Sequence, residues 1–375
     1  MKKKTMPSIS AHLSWAAVFV VLSFLTLQAL PRTQAQRSAQ DARTSDVEIP
    51  AAKLQEMQKP QKSGPIRTKA YVGNYNGNSI SIVDLDLGMQ TATVSTGNWS
   101  PRGMVLSFDH STLYAVAGPT IVAVDTASDT ATTLATDGSA DPFGIAITPD
   151  GSKLYIANGN DFSVSVRDAH TGTLIATIPT VRNPVYTAMH PAGDRLYVTT
   201  SSIVTGDTMI SVIDTATNTV DHIIETPYYP AEISVIPDGS LLFVSNELDA
   251  HVSVFDTTTD SLVTTIQVNS GPRGITFTPD GQTAYVANAD SNMATAIDVT
   301  TLTVIHTANV PGFPFMFGVS HDGRTFVTQY LNNALGEVDF SSGQVVESIS
   351  VGTNPYNIVT MDVATQTPTP TAAPS

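Results

Sequence analysis

The chain contains no cysteine. A disulfide framework, a thiolate metal site and a cysteine nucleophile are therefore excluded. Cations are scarce: from Ala70 to Val363 seven basic residues face 29 Asp and Glu, a net charge of −22. A body that acidic repels phosphate backbones, which argues against non-specific nucleic-acid binding. Helical periodicity is missing between residues 70 and 363. So are histidine pairs at metal-binding spacing, a Gly-x-Ser-x-Gly nucleophile motif and a phosphate-cradling glycine loop. What is present is apolar content, 41% of 375 residues. That is too much for a disordered chain, and the length is too great for one small core.

The two ends differ from the body. Lys2, Lys3 and Lys4 precede a largely apolar run from Trp15 to Leu30, then small residues around Thr33-Gln34-Ala35. This order is that of a secretory signal, and residues 1–35 are assigned to it. The run is shorter than a membrane span needs and contains Ser23, Thr26 and Gln28. Residues 36–69 are polar, with Pro50, Pro60 and Pro65, and read as a flexible N-terminal arm. Residues 364–375 form a Pro/Thr-rich tail. The protein is expected in the periplasm or outside the cell, with no membrane span after cleavage.

Between the ends the sequence repeats. Pro recurs at 101, 142, 184, 230, 272, 314 and 355. A turn follows eight residues after each of the first six, as in Asp150-Gly151, Asp238-Gly239 and Asp280-Gly281. An Asp ends an alternating strand at 84, 125, 168, 214, 256, 298 and 339. Each unit of roughly 42 residues holds four short strand patterns with hairpin turns, the signature of a propeller blade. The first copy lacks its first strand, and the last copy, Asn354 to Val359, supplies only that strand. The expected fold is all-β: a seven-bladed β-propeller of four-stranded antiparallel blades over residues 70–363. It is closed by the C-terminal strand completing the N-terminal blade, which leaves few open edges.

The second strands read Tyr71-Val72-Gly73-Asn74, Tyr155-Ile156-Ala157-Asn158, Phe243-Val244-Ser245-Asn246 and Tyr285-Val286-Ala287-Asn288. With the Pro-x-Gly-Ile and Pro-Asp-Gly elements, the chain resembles the YVTN-type (YncE-like) β-propeller repeat of exported bacterial and archaeal proteins. The resemblance covers residues 70–363. It implies the fold and export, and little about activity, since the family spans surface-layer proteins, redox-complex subunits and unassigned members.

Residues repeated in every blade build blades. The strand-ending Asp can accept hydrogen bonds from the following turn, and the second-strand Tyr and Phe can pack between blades. Function is expected where copies differ, at the axial mouth, where the residues after each marker Pro converge. There the sequence nominates Arg102, Arg273, Glu232, Tyr186, Phe315 and Tyr356, with Trp99 and Tyr228-Tyr229 just upstream. The two Arg would hold a carboxylate or a partner's acidic side chains, and the aromatics would supply apolar area. The competing structural reading pairs the Arg with Glu232 or Asp141 and uses the aromatics as a plug. Asp161, Asp207, Glu247, Asp249 and Asp290 lie in mouth-side turns. With Asn74, Asn158, Asn246 or Asn288 they are the residues a divalent cation such as calcium would use, but none has the spacing of a calcium loop.

The leading expectation is an exported, non-catalytic binding or scaffold module, with no cofactor. Its partner is a protein, as a subunit of an extracytoplasmic complex, or a surface polymer. The alternatives are a metal-assisted lyase or lactonase-type enzyme using Glu232 or Asp290 as base, and a surface-layer protein attached through its arm and tail.

Overall fold

The computed structural model describes residues 66–136, 142–201, 208–226 and 229–364, all within one compact unit, Pro60–Ser375. The signal, most of the arm, the tail, Asp141, residues 202–207 and Tyr228 lie outside the described residues.

Strands and turns make up the described residues, and no helix among them is long and apolar enough to cross a membrane. The second and third strands of each repeat are largely buried on both faces, the second mostly with apolar residues and the third with apolar residues alternating with small ones. Leu154 to Asn158 and Ser163 to Arg167 are buried at every position. The fourth strands are the opposite: in Thr303–Asn309 only Ala308 is buried. Turn chemistry sets the spacing. All seven strand-ending Asp side chains accept a backbone N–H at 2.7 to 2.9 Å: Asp84 from Leu87, Asp125 from Ser128, Asp168 from Thr171, Asp214 from Thr217, Asp256 from Thr259, Asp298 from Thr301 and Asp339 from Ser341. Hydrogen bonds of this kind, the Ser341 hydroxyl first, draw the Asp339 carboxyl down to about 2. In the first hairpin the positive-φ position is Gly151, Gly193, Gly239, Gly281 or Gly323, and His110 takes it at φ 60° where glycine is missing.

The protein is an all-β propeller of four-stranded antiparallel blades. Five four-stranded sheets stand alone, and one eight-stranded sheet is made of two antiparallel halves, Pro272–Asn309 and Pro314–Ser350. The halves meet through one parallel pairing of their outer strands, Asn309 with Gln344. The C-terminal strand, Pro355–Ala364, pairs antiparallel with Ile66–Asn74, from Ile66 opposite Ala364 to Asn74 opposite Pro355. This pairing corrects one boundary: the strand starts at Ile66, so Ile66 to Lys69, assigned to the arm from the sequence, are paired.

The inner strands form a continuous circuit. Pro101–Leu106 packs on Pro142–Ile147, and that strand on Asn183–Met189, then Pro230–Val235, Pro272–Phe277 and Pro314–Val319. The last packs on Pro355–Ala364, which returns to Pro101–Leu106. Apolar clusters fill the wedges between sheets; one joins Tyr71, Ile80 and Ile82 to Leu113, Ala115 and Val124 of the next sheet. Second-strand tyrosines also reach across. The Tyr155 hydroxyl donates to Asn218 Oδ1 at 2.7 Å, and the Tyr71 hydroxyl to Asp129 Oδ1 at 2.9 Å. Hydrogen-bonded and largely buried, these rings have a structural role.

Candidate functional site at the axial mouth

Each inner strand breaks register directly after its marker Pro. The ladder passes over Arg102, Phe143-Gly144, Val185-Tyr186, Ala231-Glu232, Arg273-Gly274, Phe315-Met316 and Tyr356. Such bulges release side chains from the pleat and re-aim them. They occur here at the positions where the copies differ most. Backbone crowding explains part of the variation. A Cβ on Gly103, Gly144 or Gly274 would come within 2.4 to 2.7 Å of the carbonyl oxygen of Phe143, Val185 or Phe315 in the next inner strand.

The released side chains converge. The Tyr186 and Tyr356 hydroxyls are 2.8 Å apart. Their strands lie three steps apart around the circuit in one direction and four in the other, so this bond crosses the central opening. Phe315 packs on Tyr356 with ring centroids 4.3 Å apart. The Arg273 guanidinium lies 4.5 Å from the Phe315 centroid and 5.4 Å from that of Phe313. Arg102 lies 4.1 Å over Phe143 and donates to the Tyr75 hydroxyl at 3.3 Å. Both cations act electrostatically on Tyr356. Two arginines on aromatic faces beside a tyrosine pair form a cage suited to a flat or anionic group.

Two expectations are corrected. Arg273 does not pair with Glu232: its Nη2 donates to Glu247 Oε1 at 2.6 Å, with both side chains at 10% exposure or less. Of the other mouth-side acids, Asp161, Asp249 and Asp290 are exposed, and among the described residues no three His, Asp or Glu side chains converge to hold a metal ion. Trp99 is the second. Its ring sits against Gly118 and lines a separate groove; the ring contacts that join the cage residues do not include it.

Glu232 lines the opening near Tyr186 and Tyr356. Burial pushes its carboxyl up to about 8, against a small opposing contribution from the Ile233 N–H. A carboxyl raised in this way favours its protonated form at neutral pH. Desolvation likewise raises both tyrosines, which stay neutral donors.

Tyr75 and Tyr330 were not nominated from the sequence, and Glu247 only as a mouth-side acid for a cation. Each directly follows the last residue of a second strand, Asn74, Asn246 or Gln329. The signal was positional: this turn overhangs the inner strand of its own or the next blade. Breaking the buried pair tests its weight. Arg273→Met is expected to destabilise the fold by about 3–5 kcal/mol in urea unfolding, because Glu247 is left without its cation. Arg273→Met with Glu247→Gln is expected to recover most of that loss.

Comparisons with known proteins agree with this architecture. A model of the YNCE-like beta-propeller family matches residues 50–366. The seven-bladed beta-propeller protein Rv1057 of Mycobacterium tuberculosis is 37% identical over 103 residues, 27% of this chain and 26% of that protein. Antigen Lp49 of Leptospira interrogans is 26% identical over 218 residues, 49% of this chain and 44% of that protein. The chain thus matches less than half the length of either relative. Among solved structures, the Kuenenia stuttgartiensis hydrazine synthase superposes with a TM-score of 0.62 at 20% identity, covering 70% of this chain and 96% of that one. A functionally unknown protein from Desulfotomaculum acetoxidans superposes with a TM-score of 0.65 at 17% identity, covering 78% and 98%. At these identities the superpositions speak for the fold alone. By the extent of the family match and the repeat architecture that underlies it, the chain belongs to the YNCE-like beta-propeller family.

Proposed function

We propose that the chain is an exported, seven-bladed propeller that binds a carboxylate-bearing group at its axial mouth and performs no chemistry of its own. The blade count is supported by the circuit of inner strands and by the two halves of the eight-stranded sheet, which touch through a single residue pair. Export is supported by the basic, apolar and small-residue order of residues 1–35.

One observation carries the binding reading. Arg273 is 6% exposed, lies against the rings of Phe313 and Phe315, and has an Nε with no hydrogen-bond partner. A buried guanidinium donor is costly when unsatisfied, and an anion entering the mouth would satisfy it. The mouth holds Arg102 and Arg273, two of only seven cations on a body of −22. The aromatic walls favour a carboxylate with an apolar body, whether a small molecule or an acidic side chain of a partner in an extracytoplasmic complex.

Benzoate, which joins a carboxylate to a ring, is a suitable probe. Isothermal titration of the full chain is expected to show one saturable site. Arg102→Ala is expected to weaken binding by roughly tenfold or more, and Arg102→Lys by less. Absence of a saturable benzoate site, or equal binding by Arg102→Ala, would contradict the reading.

A further inference from the structure

The groove beside Trp99 differs from the mouth in charge. It measures about 290 Å3, near the lower end of small-ligand sites at roughly 300–1,000 Å3. Its walls are Ser95 to Trp99 from one blade and Thr120, Val122 and Ala131 to Thr133 from the next. None of these side chains is ionisable, on a body where acidic residues outnumber basic ones fourfold. A charged ligand would find no partner there. A neutral one would.

The groove's polar groups are hydroxyls and an amide. Thr96 Oγ1 is committed to the Trp99 carbonyl at 2.7 Å. The Asn98 amide and the Thr120 and Thr133 hydroxyls have no protein hydrogen-bond partner among the described residues, and can each donate and accept. Trp99 adds a flat apolar platform. Its indole is 50% exposed, whereas most large apolar side chains of the second and third strands are buried. The ring is backed from one side. A Cβ on Gly118 would stand 2.4 to 2.6 Å from its Cδ2, Cε3 and Cγ, so the indole lies over this residue and only glycine leaves it room. Gly118 also adopts φ +53°, which favours glycine independently.

A neutral ligand with an apolar face and a rim of hydroxyls is a sugar ring. We infer that the groove between Trp99 and Thr133 is a saccharide-binding site, in which the C–H face of a pyranose stacks on Trp99 while Asn98, Thr120 and Thr133 bond its hydroxyls. An indole held against its backbone loses little freedom on binding, and stacking supplies contact area without charge. The site is independent of the mouth: its walls hold none of the residues that form the cage.

Trp99 is the only tryptophan besides Trp15, so indole emission reports the site directly. Cellobiose, maltose and N,N′-diacetylchitobiose serve as probes on the full chain carrying Trp15→Phe. At least one is expected to shift the emission saturably at millimolar concentration or below. Calorimetry of the same sugar is expected to lose roughly tenfold or more in affinity with Trp99→Ala. Thr133→Val, at an exposed hydroxyl, is expected to weaken it without altering the melting temperature, and Arg102→Ala is expected to leave it unchanged. The inference is overturned if none of the three sugars gives a saturable response. It is equally overturned if the affinity survives Trp99→Ala, or if thymidine binds there and the sugars do not.

Discussion

Truncation before Pro355 is expected to abolish cooperative folding rather than trim an edge. The lost strand, Pro355–Ala364, pairs with Ile66–Asn74 along its length and is the inner member of that sheet. Its Ile358 is 5% exposed, in a cluster with Ala70, Val72, Phe326 and Leu335 from two sheets. The same strand donates from Thr360 Oγ1 to the Val319 carbonyl on one side and from Asn357 Nδ2 to the Arg102 carbonyl on the other. Removing it deprives three sheets of contacts and leaves Ile66–Asn74 as an open edge. The cost exceeds the roughly 5–15 kcal/mol by which a domain is stable. Circular dichroism melts are expected to show no sharp transition in the truncated chain; a melting temperature like that of the parent would contradict this.

Glu232→Gln is expected to remove a pH dependence of stability. The folded carboxyl titrates near 8, whereas an unperturbed one titrates at 4.5. Between these values the folded chain holds a proton that the unfolded chain has released, so stability falls as pH rises through the window. The accumulated loss is on the order of 4–5 kcal/mol above the folded value, and the Gln variant escapes it. Urea midpoints measured at about pH 5 and about pH 9 are expected to converge for Glu232→Gln and to separate for the parent. Benzoate affinity in the parent is also expected to drop above pH 8, as a second carboxylate appears beside Tyr186 and Tyr356. Equal midpoints in the parent would contradict the buried, protonated state.

The blade pattern was legible because its markers answer to local chemistry. An Asp before a turn accepts the turn's own N–H, and a glycine after Asp adopts positive φ; both act within a few residues. Convergence of Arg102, Tyr186, Arg273, Phe315 and Tyr356 was legible for a related reason. They hold equivalent places after a recurring Pro, so fixing one blade fixes all. Partners set by the turns above were harder to see. Tyr75 and Tyr330 have no repeated marker of their own, and only the overhang of one strand end on an inner strand reveals them; Glu247 was legible as a mouth-side acid, but its pairing with Arg273 was not. Trp99 was drawn to the mouth because it stands two residues before Pro101. The chain turns at Gly97, at φ +79°, and the indole rests on Gly118. Ile66 to Lys69 looked like arm because three of the four are polar. Those side chains are bonded: Thr68 Oγ1 to His321 Nδ1 at 2.8 Å, Arg67 to Asp84 at 3.2 Å and Lys69 to Asp129 at 2.7 Å.

The mouth exists only if the two ends of the propeller meet, and the absence of cysteine gives that meeting a clean test. Arg67 and Val363 lie opposite one another in the closing ladder. In a chain carrying Arg67→Cys and Val363→Cys, mild oxidation of the folded protein is expected to form one intramolecular disulfide and to raise the melting temperature. Two thiols that stay reactive in the native state, or that crosslink only between molecules, would show that the ring is not joined there.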